Sequence, residues 1–438
     1  MRWKNQLTIC FSILTIAAHA QRTLTVEEAV ATSLQNNYDI LLSKNDSLVA
    51  ALDYAYANAA FLPRLNASGT YLLNNNAQKQ ILADGTKKER SGIKSNNLTA
   101  SLNLNWTIFD GMKMFITKKR LGELVSLSEL QIKNQVVTTV ADVMKLYYSI
   151  VSQQQTLRAI EEQMQLSEER LKIAQYKFDI GTGAKPDLLQ AQIDLNAQKS
   201  AYLTQQTAIL KSKEQLNQLI VVPLENEFAV QDTIIIDTTL TLAAFQSGVE
   251  ATNPSLLLAQ KNVDVAQLAL QERKAERFPT VSFNSAYNFN RSDNKAVINP
   301  FQPLFNQNKG LNYGFTATVP IFNNFNTKRL IRSAELDIAY QQLIYKNNLS
   351  QISTSIVNAY KDYDLSKRTL KLEESNMALV HENMYIAQER YRLGISTFIE
   401  LREAQNSLAD ATNRLIQARY NTKISEIELL RLRGDLVK

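Results

Sequence analysis

The sequence is poor in the residues that interrupt, cross-link or metallate a chain. It has one cysteine, Cys10, two histidines, 12 glycines and eight prolines in 438 residues. A lone cysteine excludes a disulfide framework and a cysteine metal cluster. The scarcity of glycine and proline points to long uninterrupted elements rather than many short ones. Beyond the first twenty residues no apolar run approaches the ~18 residues of a spanning helix. Any membrane crossing must then be made by strands closed into a barrel, because lipid leaves no other way to satisfy backbone polar groups. No phosphate-binding loop, metal-spaced cluster or catalytic constellation is visible. No cofactor is therefore expected. His381, beside Glu382 in a helical stretch, reads as a structural or solvated residue.

The first twenty residues have the three parts of a secretory signal. Arg2 and Lys4 are followed by a short apolar run and by Ala18-His19-Ala20, a small-x-small cleavage site. Cleavage after Ala20 is expected. Cys10 sits too early in the apolar run to resemble a lipid-attachment cysteine. Formal net charge is +6, or +4 without Arg2 and Lys4. That is too mild for nucleic-acid binding, and no dense basic stripe is present.

What the chain does have is alternation. In LTASLNLNWTIF, residues 98–109, Leu98, Ala100, Leu102, Leu104, Trp106 and Ile108 alternate with Thr, Ser and Asn. Such a strand has one apolar face and one wet, uncharged face. Its length suits a tilted crossing of a bilayer, about 9–11 residues. Residues 65–73, 281–289 and 311–321 alternate in the same way. Polar loops are expected at 74–97 and 291–310, the first rich in lysine: Lys79, Lys87, Lys88, Arg90 and Lys94. Those cations read as a solvated run or as partners for outer-membrane lipid phosphates.

The chain also repeats itself. Thr25, Asn37 and Pro63 recur 216 residues on as Thr241, Asn253 and Pro279; Phe109, Gly181 and Ala191 recur 213 residues on as Phe322, Gly394 and Ala404. Each half begins with an amphipathic helix (residues 25–58 and 241–276), continues with a strand hairpin, and ends in a long helical hairpin. The expected division is a signal over 1–20, repeats over 21–222 and 241–438, and a linker over 223–240 with a strand-like run at Ile234–Ile236. Hairpins of strands fall at about 64–109 and 280–321, and helical hairpins at 112–220 and 325–433. Ile132, Val136, Val143, Tyr147, Ile150 and Leu157 keep a seven-residue register, matched by Tyr345, Leu349, Ile356, Tyr360, Tyr363 and Leu370. The returning helices carry Leu188, Leu195, Tyr202, Ile209 and Leu216, and Leu401, Leu408, Leu415, Thr422 and Leu429. This is coiled-coil spacing. Gly181 and Gly394 supply the left-handed residue that ends the outgoing helix.

Four strands cannot close a barrel. Three copies would supply 12, enough for an open lumen. The fold class expected is mainly α with a small β part: duplicated coiled-coil hairpins and two β-hairpins per protomer, assembling as a trimeric outer-membrane β-barrel with a periplasmic α-barrel. A half-solvated sheet in a soluble protein would also alternate, and helical spacing alone does not distinguish a hollow ring from a dry rod.

The paired segments YKFDIGTGAKPDLLQAQ (176–192) and RYRLGISTFIELREAQ (390–405), with FLP and RFP before each first strand, resemble outer-membrane efflux proteins of the TolC type. The resemblance covers nearly all of the chain after the signal. It implies a homotrimeric channel-tunnel, a periplasmic adaptor docking at the Gly181 and Gly394 turns, and an inner-membrane transporter of RND, ABC or MFS type. It also implies that Glu400 and Glu403 occupy positions where relatives constrict the entrance with aspartates. Tyr391 matches a tyrosine that latches the closed tip, and Ser396 stands where some relatives carry an arginine latch. Asp187 and Glu400 each lie six residues after a turn glycine. Glu403 lies one helical turn beyond Glu400, and in a trimer Glu400 and Glu403, with Asp187 a further candidate, read either as acidic rings at a tunnel mouth or as acids favoured by a helix start. Three readings remain: an exit duct for small molecules in a tripartite pump, the same duct in type I protein secretion, and a soluble periplasmic coiled-coil scaffold. An enzyme is the least supported.

Overall fold

A computed structural model describes residues 23–224, 227–299 and 301–437. The expected signal, Cys10 and the cleavage point after Ala20 lie outside the described residues. The first half runs β1 (Thr23–Leu24), α1 (Val26–Asn36), α2 (Tyr38–Ala55), a 3-10 segment Tyr56–Phe61, β2 (Arg64–Ile81), β3 (Lys87–Phe109), α3 (Lys113–Asp179) and α4 (Lys185–Ile220). After β4 (Ala229–Val230) the second half runs α5 (Leu242–Gln246), α6 (Val249–Thr252), α7 (Pro254–Ala275), β5 (Thr280–Asn294), β6 (Phe305–Thr318), α8 (Asn326–Arg392) and α9 (Phe398–Arg433). The chain is mainly helical with a small β part. The outgoing helices α3 and α8 both have 67 residues and the returning α4 and α9 both have 36, so the internal repeat is structural.

Two compact units cut across the repeats. One comprises residues 23–42, 134–253 and 351–437, and the other 43–133 and 254–350. In the first unit the heptad positions face inward. Val143, Tyr147, Ile150, Leu188, Leu195, Ile209, Leu216, Ile356, Tyr363, Leu370, Leu401, Leu408, Thr422 and Leu429 are all buried. A second apolar row on α8 faces the other way. Leu365, Leu372, Leu379 and Ile386, with Leu393 just past the helix end, are again seven apart and between 47% and 67% exposed. One helix thus has two apolar stripes on nearly opposite sides, and only one finds a partner within the protomer.

The expected single opening helix is interrupted in both halves. Asn37 ends α1 and Asn253 ends α6, each with extended ψ (127° and 117°). The physical reason is a competing set of bonds. The Asn37 amide donates to the Leu219 carbonyl (2.9 Å), and its Oδ1 accepts from the Asp39 and Ile40 backbone N–H groups. Asn253 donates to the Leu432 carbonyl (2.7 Å). Leu219 and Leu432 are repeat equivalents near the ends of α4 and α9. Each asparagine therefore serves a carbonyl that its own helix end leaves unpaired.

The linker differs from expectation as well. Ile234–Ile236 forms no strand; among the described residues of the linker only Ala229–Val230 does, pairing in parallel with Thr23–Leu24. Side chains of the helices meet the linker backbone instead. The Tyr363 hydroxyl donates to the Asp237 carbonyl (2.6 Å), Gln155 donates to the Asp232 carbonyl, and the Asp237 N–H donates to Glu426. With its polar groups met this way, the segment has no need of a strand neighbour.

In the second unit β2, β3, β5 and β6 form one antiparallel sheet in that order, so the hairpins of the two repeats join through β3 and β5. Register preserves the alternation across all four strands. Ala67, Leu102, Tyr287 and Leu311 form one row, and Asn66, Asn103, Ala286 and Asn312 form the neighbouring row on the opposite face. The expected polar loops are mostly strand. Pairing continues to Ile81 opposite Lys87 and to Asp293 opposite Phe305. Polar residues in this stretch read as loop from composition, yet cross-strand pairing keeps them extended. The first hairpin turns only at 82–86, with Gly85 at φ 81°.

Replacing Asn253 by Ala should lower stability by about 2 kcal/mol, the cost of orphaning the buried Leu432 carbonyl and losing a helix stop. Thermal melting followed by helical circular dichroism checks this; an unchanged midpoint would contradict the assignment.

Candidate functional site

Two surfaces can act on a solute or partner, one in each unit. In the sheet unit it is the polar face. From the row Asn66–Asn103–Ala286–Asn312 to the row Asn74–Ser95–Asn294, no side chain on this face is ionisable. The groups bond across strands. Ser68 and Ser101 share a hydrogen bond (2.7 Å), Asn105 donates to Asn284, and Asn284 donates to Thr316 (3.0 Å). Such a face is wetted without selecting the sign of a charge.

In the helical unit it is the turns between outgoing and returning helices. Gly181 (φ 77°) and Gly394 (φ 78°) adopt the left-handed conformation expected of them. The N–H groups of Thr182 and Gly183 both donate to the Lys177 carbonyl, and those of Ile395 and Ser396 to its repeat equivalent, the Arg390 carbonyl. Beyond the turns the two hairpins pack around Ala174, Leu188, Ala191, Met384, Tyr391, Phe398, Leu401, Ala404 and Leu408.

Tyr391 is 4% exposed, while its repeat equivalent Phe178 is 38% exposed, so the two turns are not interchangeable. The Lys177 ammonium lies 3.8 Å from the centre of the Tyr391 ring and donates to the Tyr391 carbonyl. Burial, reinforced by the Asp187 carboxylate, pushes the Tyr391 hydroxyl above the ordinary tyrosine value, and Arg170 acts in the opposite sense. Asp187 lies in the first turn of α4 and is half-buried. Glu400 is exposed in the first turn of α9. The Thr397 hydroxyl there accepts from the Glu400 N–H (3.2 Å) and donates to its carboxylate, and Arg390 lies 3.8 Å from that carboxylate. Glu403 is exposed one helical turn further on. The Ser396 hydroxyl is buried without a hydrogen-bond partner.

One cluster escapes sequence reasoning. Asp194 on α4 accepts from Arg170 on α3 (2.7 Å), from Arg402 on α9 (3.0 and 3.3 Å) and from Gln190 (2.8 Å). The Arg170 side chain is only 3% exposed, and its guanidinium lies 5.1 Å from the Phe398 ring centre. Burial lowers the Arg170 pKa from its ordinary value; the Asp194 carboxylate opposes that shift and Arg402 adds to it. The carboxylate thus joins the first helical hairpin to the second just behind the turns. Its partners lie 24 and 208 residues away in sequence, a separation that no local pattern reports. Only the i, i+4 pair Gln190–Asp194 is visible in the sequence.

The comparisons agree with this architecture. The family model for outer membrane efflux protein matches residues 29–220 and 247–435. The outer membrane protein TolC of Vibrio cholerae serotype O1 is 21% identical over 413 residues, covering 89% of this chain and 87% of its own. The probable efflux pump outer membrane protein TtgC of Pseudomonas putida is 21% identical over 421 residues, covering 93% and 82%. Among solved structures, the outer-membrane channel OprN superposes with a TM-score of 0.78 at 15% identity, covering 94% of this chain and 90% of that one. The fold is therefore that of the outer-membrane channels. The chain belongs to the outer membrane efflux protein family. Its place is the outer membrane and its role is efflux; the family is one of ducts rather than enzymes.

Exchanging Asp194 for Asn should destabilise the turn region by roughly 3 kcal/mol, because two guanidinium groups lose their shared carboxylate, one of them buried. Amide hydrogen exchange in residues 166–194 and 390–405 should accelerate. Protection equal to the unmodified chain would remove the cluster from any role in holding the turns.

Proposed function

We propose that three copies of this chain form one channel, the exit duct of a tripartite efflux system. It passively conducts substrates delivered by an inner-membrane transporter of RND, ABC or MFS type and a periplasmic adaptor. The observation that carries the reading is the sheet. It has an apolar face, an uncharged polar face, and outer edges on β2 and β6 that pair with no other strand among the described residues. In lipid an open edge is prohibitive, so each edge must meet another copy. Three copies give 12 strands around a wet lumen. The outward stripe Leu365–Leu372–Leu379–Ile386–Leu393 supports the same reading, since its apolar side chains await a neighbouring helix. In this reading the repeats 21–222 and 241–438 are the duplicated halves of one protomer, joined by the linker 223–240, and residues 1–20 direct export and are removed.

The turns at Gly181 and Gly394 then form the periplasmic tip, where the adaptor docks. Glu400 and Glu403 ring the aperture, with Asp187 and Tyr391 behind them. Glu400 is also fastened to its helix start by Thr397. The Ser396 hydroxyl makes no hydrogen bond that would substitute for an arginine latch, so closure rests on Tyr391 and its surroundings.

The purified chain in detergent should have three times the protomer mass and insert single channels into planar bilayers. A monomer that inserts none would contradict the proposal. Glu400→Ala combined with Glu403→Ala should lower the cation preference of those channels, and unchanged selectivity would remove both residues from the aperture.

A further inference from the structure

The apolar face of the sheet has an electrically distinct rim. Along β5 the apolar positions run from Val281 to Phe289, about 26 Å of strand. Tilted by about 35–45° as barrel strands are, this spans about 20 Å, most of the apolar band of an outer-membrane barrel, roughly 25 Å tall. At the turn end of this band the face becomes cationic. Lys309 shares a row with Phe289, Ala100 and Gly69. Arg291 shares the next with Leu98, Tyr71 and Gln307. Both cations rest on aromatic faces: the Lys309 ammonium is 5.6 Å from the Phe289 ring centre and the Arg291 guanidinium 5.4 Å from that of Phe305.

The imbalance extends to the whole turn end. Residues 74–97 and 291–310 hold eight Lys and Arg against three Asp and Glu, a net of +5, where the chain without Arg2 and Lys4 nets +4. Near the helix end of the sheet three cations are paired: Lys113 and Arg273 with Glu276, and Arg120 with Glu272. Lysines at the turn itself are adequately explained by water. Lys309 and Arg291 are not, because they stand on the face that meets lipid. Long basic side chains there extend toward the headgroup layer and are stabilised by anions in it.

We infer that this rim binds the phosphates of the glycolipid forming the outer leaflet, with Lys309 and Arg291 as the anchoring cations. The inference rests on the proposed channel, which puts the strand turns outside. Each chain would contribute one such site, on the β5–β6 side of its sheet. The neighbouring Asp293, bonded to Arg291 (2.9 Å), holds the guanidinium in place, so the net positive charge of these three groups is that of one cation, Lys309.

The test uses the full-length channel in detergent, with bisphosphorylated lipid A, its dephosphorylated form and phosphatidylglycerol as probes, read by native mass spectrometry. The Arg291→Gln, Lys309→Gln double variant should bind bisphosphorylated lipid A roughly 30-fold more weakly, the expected effect of two cations near a phosphate layer. The unmodified channel should discriminate against the dephosphorylated form by a similar factor. Lys87→Gln with Lys88→Gln, at the turn, should leave binding within about threefold. Equal lipid A binding by double variant and unmodified channel would overturn the inference, as would indifference to the phosphates. Phosphatidylglycerol binding as tightly as lipid A would overturn the assignment to the glycolipid. Single-channel recordings on the same samples separate the two claims: conducting channels without phosphate preference would sink the rim site alone, whereas no channels at all would sink the proposed function. The dephosphorylated probe decides the question on the unmodified protein even if the variant does not assemble.

Discussion

An antiparallel sheet that is apolar on one face, wet on the other and open at both edges cannot persist alone in a membrane. Every unpaired backbone group along β2 and β6 would face hydrocarbon at a cost of several kcal/mol. The residues do nothing to blunt those edges within the apolar band. From 65 to 73 and from 310 to 318 there is no proline and no charge, the devices that protect a solvent-exposed edge. The edges are left open for another strand, as the proposed channel requires, and the chain belongs to the outer membrane efflux protein family.

The helical unit meets the same requirement by different chemistry. Its internal seam is closed by heptads, its helix ends by Asn37 and Asn253, and its turn region by Asp194 between two arginines. Each device occurs either twice, at repeat-equivalent positions, or once, bridging the hairpins. The halves differ at the turn region. Tyr391 is buried and Phe178 is not; Thr397 caps α9 while Ala184 opens α4 without a side-chain cap. The internal repeat supplies two similar hairpins, and the packing of Tyr391 and the Thr397 cap distinguish the second turn from the first.

Much of this was legible in the sequence because both periodicities are strong. Period-two alternation identified all four strands, and spacing of seven placed Leu188, Leu216, Ile356, Tyr363 and Leu401 in the core. What escaped has physical reasons. The helix break at Asn37 depends on a carbonyl 182 residues away, so the amphipathic pattern runs through it unaltered. Strand extension past Asn74 depends on cross-strand pairing that composition does not report. Asp194 looks like an ordinary helical acid until Arg170 and Arg402 converge on it. Glu400 was legible as an acid near a turn, yet its bond to Thr397 shows a helix-start role beside any role at an aperture.

The most direct test of the central claim exploits the absence of cysteine after residue 10. One cysteine fixed at Asn312 on β6 is combined in turn with one at Asn66, Ser68, Thr70 or Leu72 on β2, all on the polar face, and the assembled protein is oxidised in membranes. The account predicts disulfide-linked species up to three chains and no larger, with one β2 position far more efficient than its neighbours. Chains that remain monomeric at every position, or a ladder running beyond three, would contradict it.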